Sequence, residues 1–341
     1  MKKAVRMAVA AGMCAALALS AGCQKKTVAD DEVQRYAWPL ATASPEDTVT
    51  QIYAEKFAEE VEELSDGKMK IQVYPNGTIG GDRELLESCK DGDIPFVIQN
   101  TAPQVTFMPD LAVFDIPCRF STIDEVREKV DDPEFYGLLE DVYENGGYKL
   151  LGYADQGFRV MSTNKMVESL ADFKGQKIRT MENSYHMAYW KALGASPTPM
   201  TFSEVYIGLQ QGTMDAVHNN IPASELFKLD EVIDWMTLTW DMYGTNYWVA
   251  NGDFTASLSD AQREIIYTAA EEAAQYIRDE YRKSTDAWVQ KCRDNPDIEV
   301  IDIDDEMKQQ MLEVSYSIWE MYRDKFDPVA MERIFEEFYP A

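Results

Sequence analysis

Residues 172–195 read DFKGQKIRTMENSYHMAYWKALGA, a strand followed by a helix. Lys174-Gly175 makes a tight turn, Gln176–Thr180 forms a short strand, and an arginine, Arg179, stands where that strand stops. A helix follows from about Ser184 to Leu193, and Gly194 ends it, since glycine takes the left-handed conformation that closes a helix without a Cβ clash.

The same alternation continues on both sides. Downstream, Thr201-Phe202-Ser203-Glu204 is a capping box opening a helix that ends at Gly212, and a strand follows at Ala216–His218. Upstream, Ser44 caps a helix with Pro45 at its first position, and Val49, Ile52, Tyr53, Phe57, Val61 and Leu64 follow at helical spacing. Met69, Ile71 and Val73 alternate as a strand that Pro75 stops. A helix near Asp82–Lys90, a strand near Pro95–Gln99, a cap at Ser121–Asp124, and strands near Tyr148–Tyr153 and Phe158–Thr163 complete this half. Such alternation predicts α/β lobes with largely parallel sheets covered on both faces. Ser259-Asp260-Ala261-Gln262 caps a run without proline or glycine to about Val289, a helix of about 45 Å. That is longer than one lobe needs, so the helix should cross both.

At 341 residues the chain is long enough for two domains. Lys2, Lys3 and Arg6 precede an uncharged, Ala-rich run from Met7 to Leu19. That run is shorter than the roughly 20 residues a bilayer span requires and fits the apolar region of a secretory signal. Leu19-Ser20-Ala21-Gly22-Cys23 resembles a lipobox, which implies a signal peptide over 1–22, diacylation of Cys23 and a flexible tether over 23–33. More than one acyl chain anchors stably, so the protein is expected outside the cytoplasm, held to the membrane.

Lys and Arg number 32 against 60 Asp and Glu, a net charge of −28, and removal of the signal takes it to −31. Nucleic acid is excluded as a partner. A small anion is not, because at contact distance a local arginine outweighs the screened bulk charge. Cys89, Cys118 and Cys292 would remain in the mature chain, as one disulfide with a free thiol or as three free thiols. No GxSxG, HExxH, CxxC, Walker or GxGxxG motif occurs, which leaves an extracytoplasmic enzyme little support and implies no cofactor. His186 and His218 stand too far apart in sequence to indicate a metal site.

Several stretches together resemble the DctP-type solute-binding proteins of TRAP (tripartite ATP-independent periplasmic) transporters. They are YPNGTIGGDRELLESCKDGD (74–93), PDLAVFDIPCRF (109–120), GFRVMSTNK (157–165), DFKGQKIRT (172–180) and LGASPTPMTFSEVYIGLQQGTMDAVHNN (193–220). The resemblance covers about residues 35–290. It implies a two-lobed α/β fold, periplasmic-binding-protein-like and type II-like, with a ligand cleft between lobes and a long helix spanning both. Lobe I is expected over 34–155 plus about 245–285, and lobe II over 156–244 plus about 286–341. It also implies a small carboxylate as ligand and the membrane subunits of a TRAP permease as partner. A lipid-anchored sensor docking on a membrane receptor is the alternative.

Carried over by position, the carboxylate-clamping arginine of that family falls on Arg179 and a second ligand-facing arginine on Arg159. Asn219 and the cleft-lining aromatic Phe202 follow in the same way. Asn100 and Asp82 would contribute from the first lobe, with Asp82 also readable as a cap of its own helix, and Asn219-Asn220 as a turn. Glu182 stands where relatives often carry another residue, and would disfavour a plain dicarboxylate if it faced inward. Trp240, with Tyr243, Tyr247 and Trp248, would form either an aromatic wall or core. Physical chemistry points independently to Arg179. Strand C-termini in open α/β sheets face the ligand crevice, and a guanidinium there offers a planar fork that pairs bidentately with a carboxylate.

Overall fold

The computed structural model describes residues 36–226 and 228–323. The signal segment, Cys23 and the tether lie outside the described residues. In the first half run β1 (Tyr36–Ala41), α1 (Val49–Leu64), β2 (Met69–Tyr74), α2 (Asp82–Asp91), β3 (Phe96–Asn100), α3 (Thr101–Gln104), a 3-10 segment (Pro109–Asp115), α4 (Ile123–Val130), α5 (Pro133–Gly146) and β4 (Tyr148–Thr163). Then come β5 (Lys177–Thr180), α6 (Ser184–Ala192), β6 (Ser196–Pro199), α7 (Val205–Gln210), β7 (Ala216–Asn220), α8 (Ile221–Leu226) and β8 (Trp235–Leu238). The chain ends in β9 (Tyr243–Asn251), α9 (Gly252–Ser257), α10 (Asp260–Asp294), β10 (Glu299–Asp302) and α11 (Asp305–Tyr322).

The strands lie in the order β2-β1-β3-β9-β4-β7-β5-β6, with β8 beside β4 and β10 beside β8. The outer pairs are parallel: β1 with β2 and β3, β5 with β6 and β7, β8 with β10. The middle is antiparallel, since β9 opposes β3 and β4, and β4 opposes β7 and β8. The sheet is therefore mixed where a largely parallel one was expected, because two long strands link the halves and run against their neighbours.

The two strands anticipated at 148–153 and 158–163 are one 16-residue strand. Up to Phe158 it pairs with β9, and from Arg159 onward with β7 and β8. Register shifts fall at Leu150/Gly152 and Asp155/Gly157, and Gly157 takes φ 97°, a bulge conformation that a side chain would resist. At the bulge the strand passes from its pairing with β9 to its pairings with β7 and β8.

The core follows the helical stripe read from sequence. Tyr53, Phe57 and Val61 of α1 pack with Phe96, Trp248, Ile265, Ile266, Ala269 and Ala270, all essentially without exposure. Ser259 caps α10, accepting from Gln262 N at 3.2 Å while Gln262 Oε1 accepts from Ser259 N at 2.9 Å. The helix runs past Val289 to Asp294, with proline next at position 296. Its first half packs on α1, and its Cys292 packs with Val160, Ile221, Met236 and Leu238 of the other half, so it braces both.

Two helix starts differ from expectation. α1 begins at Val49 rather than at Pro45, because Thr48 takes the cap: its hydroxyl donates to Pro45 O at 2.7 Å and accepts from Gln51 N at 3.3 Å. Residues 43–48 remain a loop. After Thr201 a single 3-10 turn precedes α7, since the threonine hydroxyl donates to the Glu204 carboxylate at 2.7 Å and caps no backbone N–H. Cys89, Cys118 and Cys292 are all free thiols, and burial pushes Cys89 and Cys118 up to about 12. No helix among the described residues is long and apolar enough to cross a membrane.

Candidate functional site

β5 and β7 lie side by side and parallel, so their C-terminal ends open on the same edge. Opposite that edge stand the start of α2, the end of β3 and the loop before α1. Between them lies a cleft of about 610 Å³, open mouth included. Arg179, Asn219 and Phe202 line it from one side, and Asp82 and Asn100 from the other, with Gln156 at the bulge of β4.

Arg179 is 3% exposed. Its Nε donates to Met200 O at 2.9 Å, and its guanidinium sits 5.6 Å from the centroid of the Phe202 ring. Among the described residues, no carboxylate lies within ion-pairing distance of it, and its two terminal nitrogens have no hydrogen-bond partner. Burial and then the neighbouring charge of Arg159 lower it to about 9, against the pull of Asp82. It still carries its charge at neutral pH. A cationic fork held by one backbone carbonyl and an aromatic face, with both outer nitrogens free, can clamp a carboxylate.

Asp82 is the first residue of α2, and Gly81 occupies the cap position. Part of its surface opens on the cleft, yet protein encloses the carboxyl closely enough that desolvation raises it to about 6. Arg179 opposes that rise, while Glu84 and Glu182 add to it. Asn100 accepts from Ala102 N at 2.9 Å, capping α3, and its amide donates to Gln156 Oε1 at 2.5 Å. Asn219 lies within β7 rather than in a turn, and its Oδ1 accepts from Asn220 N at 2.9 Å.

Three anticipated residues take other positions. Arg159, 1% exposed, lies on β4 beside β7 and outside the cleft lining: its Nη2 donates to His218 O at 2.6 Å and its Nε to His218 Nδ1 at 3.3 Å. Glu182 is exposed and pairs with Arg83 at 3.3 Å, in a depression beside the cleft. Trp240 meets Phe158 edge-on at 6.3 Å and packs against the cluster of Val160, Ile221, Met236, Leu238 and Cys292, outside the cleft lining. Tyr243, Tyr247 and Trp248 are core.

The two histidines, distant in sequence, come together with ring centroids 5.9 Å apart. Each has its own acid, His186 with Asp115 at 2.7 Å and His218 with Asp241 at 3.2 Å. Burial lowers His218 to about 4, in spite of Asp241, so it is neutral. Because its Nδ1 accepts from Arg159, its Nε2 carries the hydrogen toward Asp241. Among the described residues no group of His, Cys, Asp and Glu is arranged to hold a metal ion.

Sequence reasoning missed Gln156, Met181 and the loop containing Ser44, Pro45 and Thr48, all of which line the cleft. A polar Gln156-Gly157 pair between two apolar strand signals was the one available hint.

Residues 40–325 match the family described as bacterial extracellular solute-binding protein, family 7 (DctP). The chain is 30% identical to the ectoine-binding periplasmic protein TeaA of Halomonas elongata over 288 residues, 84% of each chain. It superposes on the sugar acid binding protein DctPAm of Advenella mimigardefordensis in complex with galactonate, with a TM-score of 0.84 and 26% identity, covering 89% of this chain and 97% of that one. A TRAP periplasmic solute-binding protein of Sulfurospirillum deleyianum with bound succinate matches at a TM-score of 0.83 and 26% identity, covering 89% and 99%. These relatives are two-lobed solute-binding proteins of transporters and not enzymes, and this chain belongs to their family, the DctP-type solute-binding proteins of TRAP transporters.

Proposed function

We propose that this protein captures a small organic acid outside the cytoplasm by clamping its carboxylate on Arg179, and delivers it to the membrane subunits of a TRAP permease driven by an ion gradient. In this reading Cys23 carries the lipid that holds the protein at the membrane, and residues 24–33 form its leash. The lobes are 34–155 with about 245–285, and 156–244 with about 286–341, hinged where they exchange strands.

The observation that carries the reading is a buried guanidinium with no carboxylate in ion-pairing distance among the described residues, facing a cleft lined by amides, hydroxyls, apolar groups and, on the opposite wall, Asp82. A ligand carboxylate supplies the missing charge. Once bound, it draws Asn219 and Phe202 on one lobe toward Asp82 and Asn100 on the other. The closed arrangement gains because the ligand makes its best contacts there.

A thermal-shift screen over organic acids tests this. A true ligand at about a hundred times its Kd stabilises the fold by about 2.7 kcal/mol through mass action, a plainly readable rise in Tm. Wild-type protein should respond and be recovered with its ligand chemically unchanged. Arg179→Ala should not respond at the same concentration, and an undiminished response would remove the clamp from the account.

A further inference from the structure

Among the described residues lining the cleft, Arg179 is the one cation and Asp82 the one carboxylate. They belong to opposite walls. The site is therefore bipolar: an acid at one end finds a cation, and whatever lies at the other end meets an acceptor.

A second carboxylate would find no cation there. Arg159 is engaged with His218 of β7 and lies outside the cleft lining. Arg83 is exposed and already pairs with Glu87 at 3.2 Å and Glu182 at 3.3 Å. Glu84 and Glu182 add to the negative field around Asp82. A distal carboxylate would thus sit in a low-dielectric cleft facing like charge, an arrangement that costs free energy steeply.

Hydroxyl groups suit the same surroundings. Each donates and accepts, and matches Asn219, Gln156 and the Asp82 oxygens at once. With its amide nitrogen turned to Asp82, Gln99 donates to Asp82 Oδ1 at 2.9 Å, and Oδ2 can accept from a ligand hydroxyl in the cleft. A ligand that supplies this donor is selected over one that presents another acceptor. A zwitterion's ammonium would pair with Asp82 but, having no acceptor, could not take a hydrogen bond from the side-chain amides of Asn219 and Gln156, which a hydroxyl can.

We propose that the ligand is a short polyhydroxy monocarboxylic acid of the aldonic or uronic type, and that Asp82 is the residue that excludes dicarboxylates. This rests on the reading of the cleft as an organic-acid site with Arg179 as clamp.

Calorimetry with a panel of aldonates and uronates, succinate, glutarate and ectoine tests it, on wild-type protein and on Asp82→Asn. In the wild type the best polyhydroxy acid should bind at least about tenfold more tightly than the best dicarboxylate, the scale of one charged hydrogen bond. In Asp82→Asn that ratio should shrink by about tenfold, chiefly because dicarboxylates gain. Succinate or glutarate binding the wild type as well as any polyhydroxy acid overturns the ligand class, as does ectoine binding best. An unchanged ratio in a folded Asp82→Asn overturns the role of Asp82. If no acid binds at all, the organic-acid reading itself has failed, a result distinct from wrong selectivity. Selectivity of the wild type decides the ligand class even if the variant does not fold.

Discussion

Arg127 and Arg179 are two inward-facing arginines in opposite circumstances. Arg127, on α4, donates to Asp155 Oδ2 through Nε at 3.0 Å and again through Nη2, and to Arg278 O at 2.6 Å. The other oxygen of Asp155 accepts from Tyr243 at 2.6 Å. Burial would lower this guanidinium, but the hydrogen bond and charge of Asp155 win, and it stays above its ordinary value. Arg179 has a backbone carbonyl and a ring, and falls to about 9. The side chain is the same and the difference is the anion. At Arg127 the protein provides its own, while at Arg179 it leaves a desolvated charge for something else to neutralise, which is tolerable only if a ligand does so.

Substitution should separate the two. Arg127→Ala strands the fully buried Asp155 without its cation, so unfolding in urea should show a loss of about 3–5 kcal/mol, with ligand affinity in the folded fraction little changed. Arg179→Ala should do the reverse. Stability of the ligand-free protein should largely hold, because no internal carboxylate is orphaned and only the Met200 carbonyl loses a donor, while calorimetry should show about 2–5 kcal/mol of lost ligand binding. Were Arg179→Ala to unfold the protein as readily as Arg127→Ala, the distinction would collapse. Arg179→Lys keeps the charge but loses the fork, and should recover part of the affinity, remaining about tenfold weaker than wild type.

Much of this frame was legible beforehand because its signals are local. The Ser259–Gln262 capping box is written in four adjacent residues, the α1 stripe repeats every three or four, and Arg179 announces itself at the end of a strand. What escaped depends on pairings between distant segments. That Arg159 would be taken up by His218 follows from the register of β4 on β7, which places Arg159 opposite Asn220. That Glu182 would turn to Arg83 follows from the start of α2 meeting the chain just after β5, segments far apart in sequence. Gln156 enters the cleft through a bulge, and the loop at 43–48 exists because Thr48 outcompetes Ser44 for the helix cap. No periodicity reports any of these.

A smaller effect sharpens the comparison further, because an acid near Arg179 that is not ion-paired with it leaves a trace in the pH dependence of stability. If Asp82 were ion-paired with Arg179, its carboxyl would be held down and the fold would weaken as pH fell through its titration. Instead burial raises Asp82 from 3.8 to about 6. Between those values the folded state holds more protons than the unfolded one, so this group makes the ligand-free protein more stable as pH falls. His218 works in the opposite sense, since burial lowers it from 6.5 to about 4 and the unfolded state binds the extra proton. In the wild type the two tendencies should partly cancel across that interval. Asp82→Asn removes one of them, so its urea midpoint should fall more steeply than that of wild type as pH drops through the interval, by about 1 kcal/mol over the range once solvent at the cleft mouth is allowed for. At neutral pH the variant should be slightly the more stable, because no partly desolvated carboxylate remains. Parallel pH profiles for the two proteins would mean that Asp82 is paired after all, and Arg179 would then resemble Arg127.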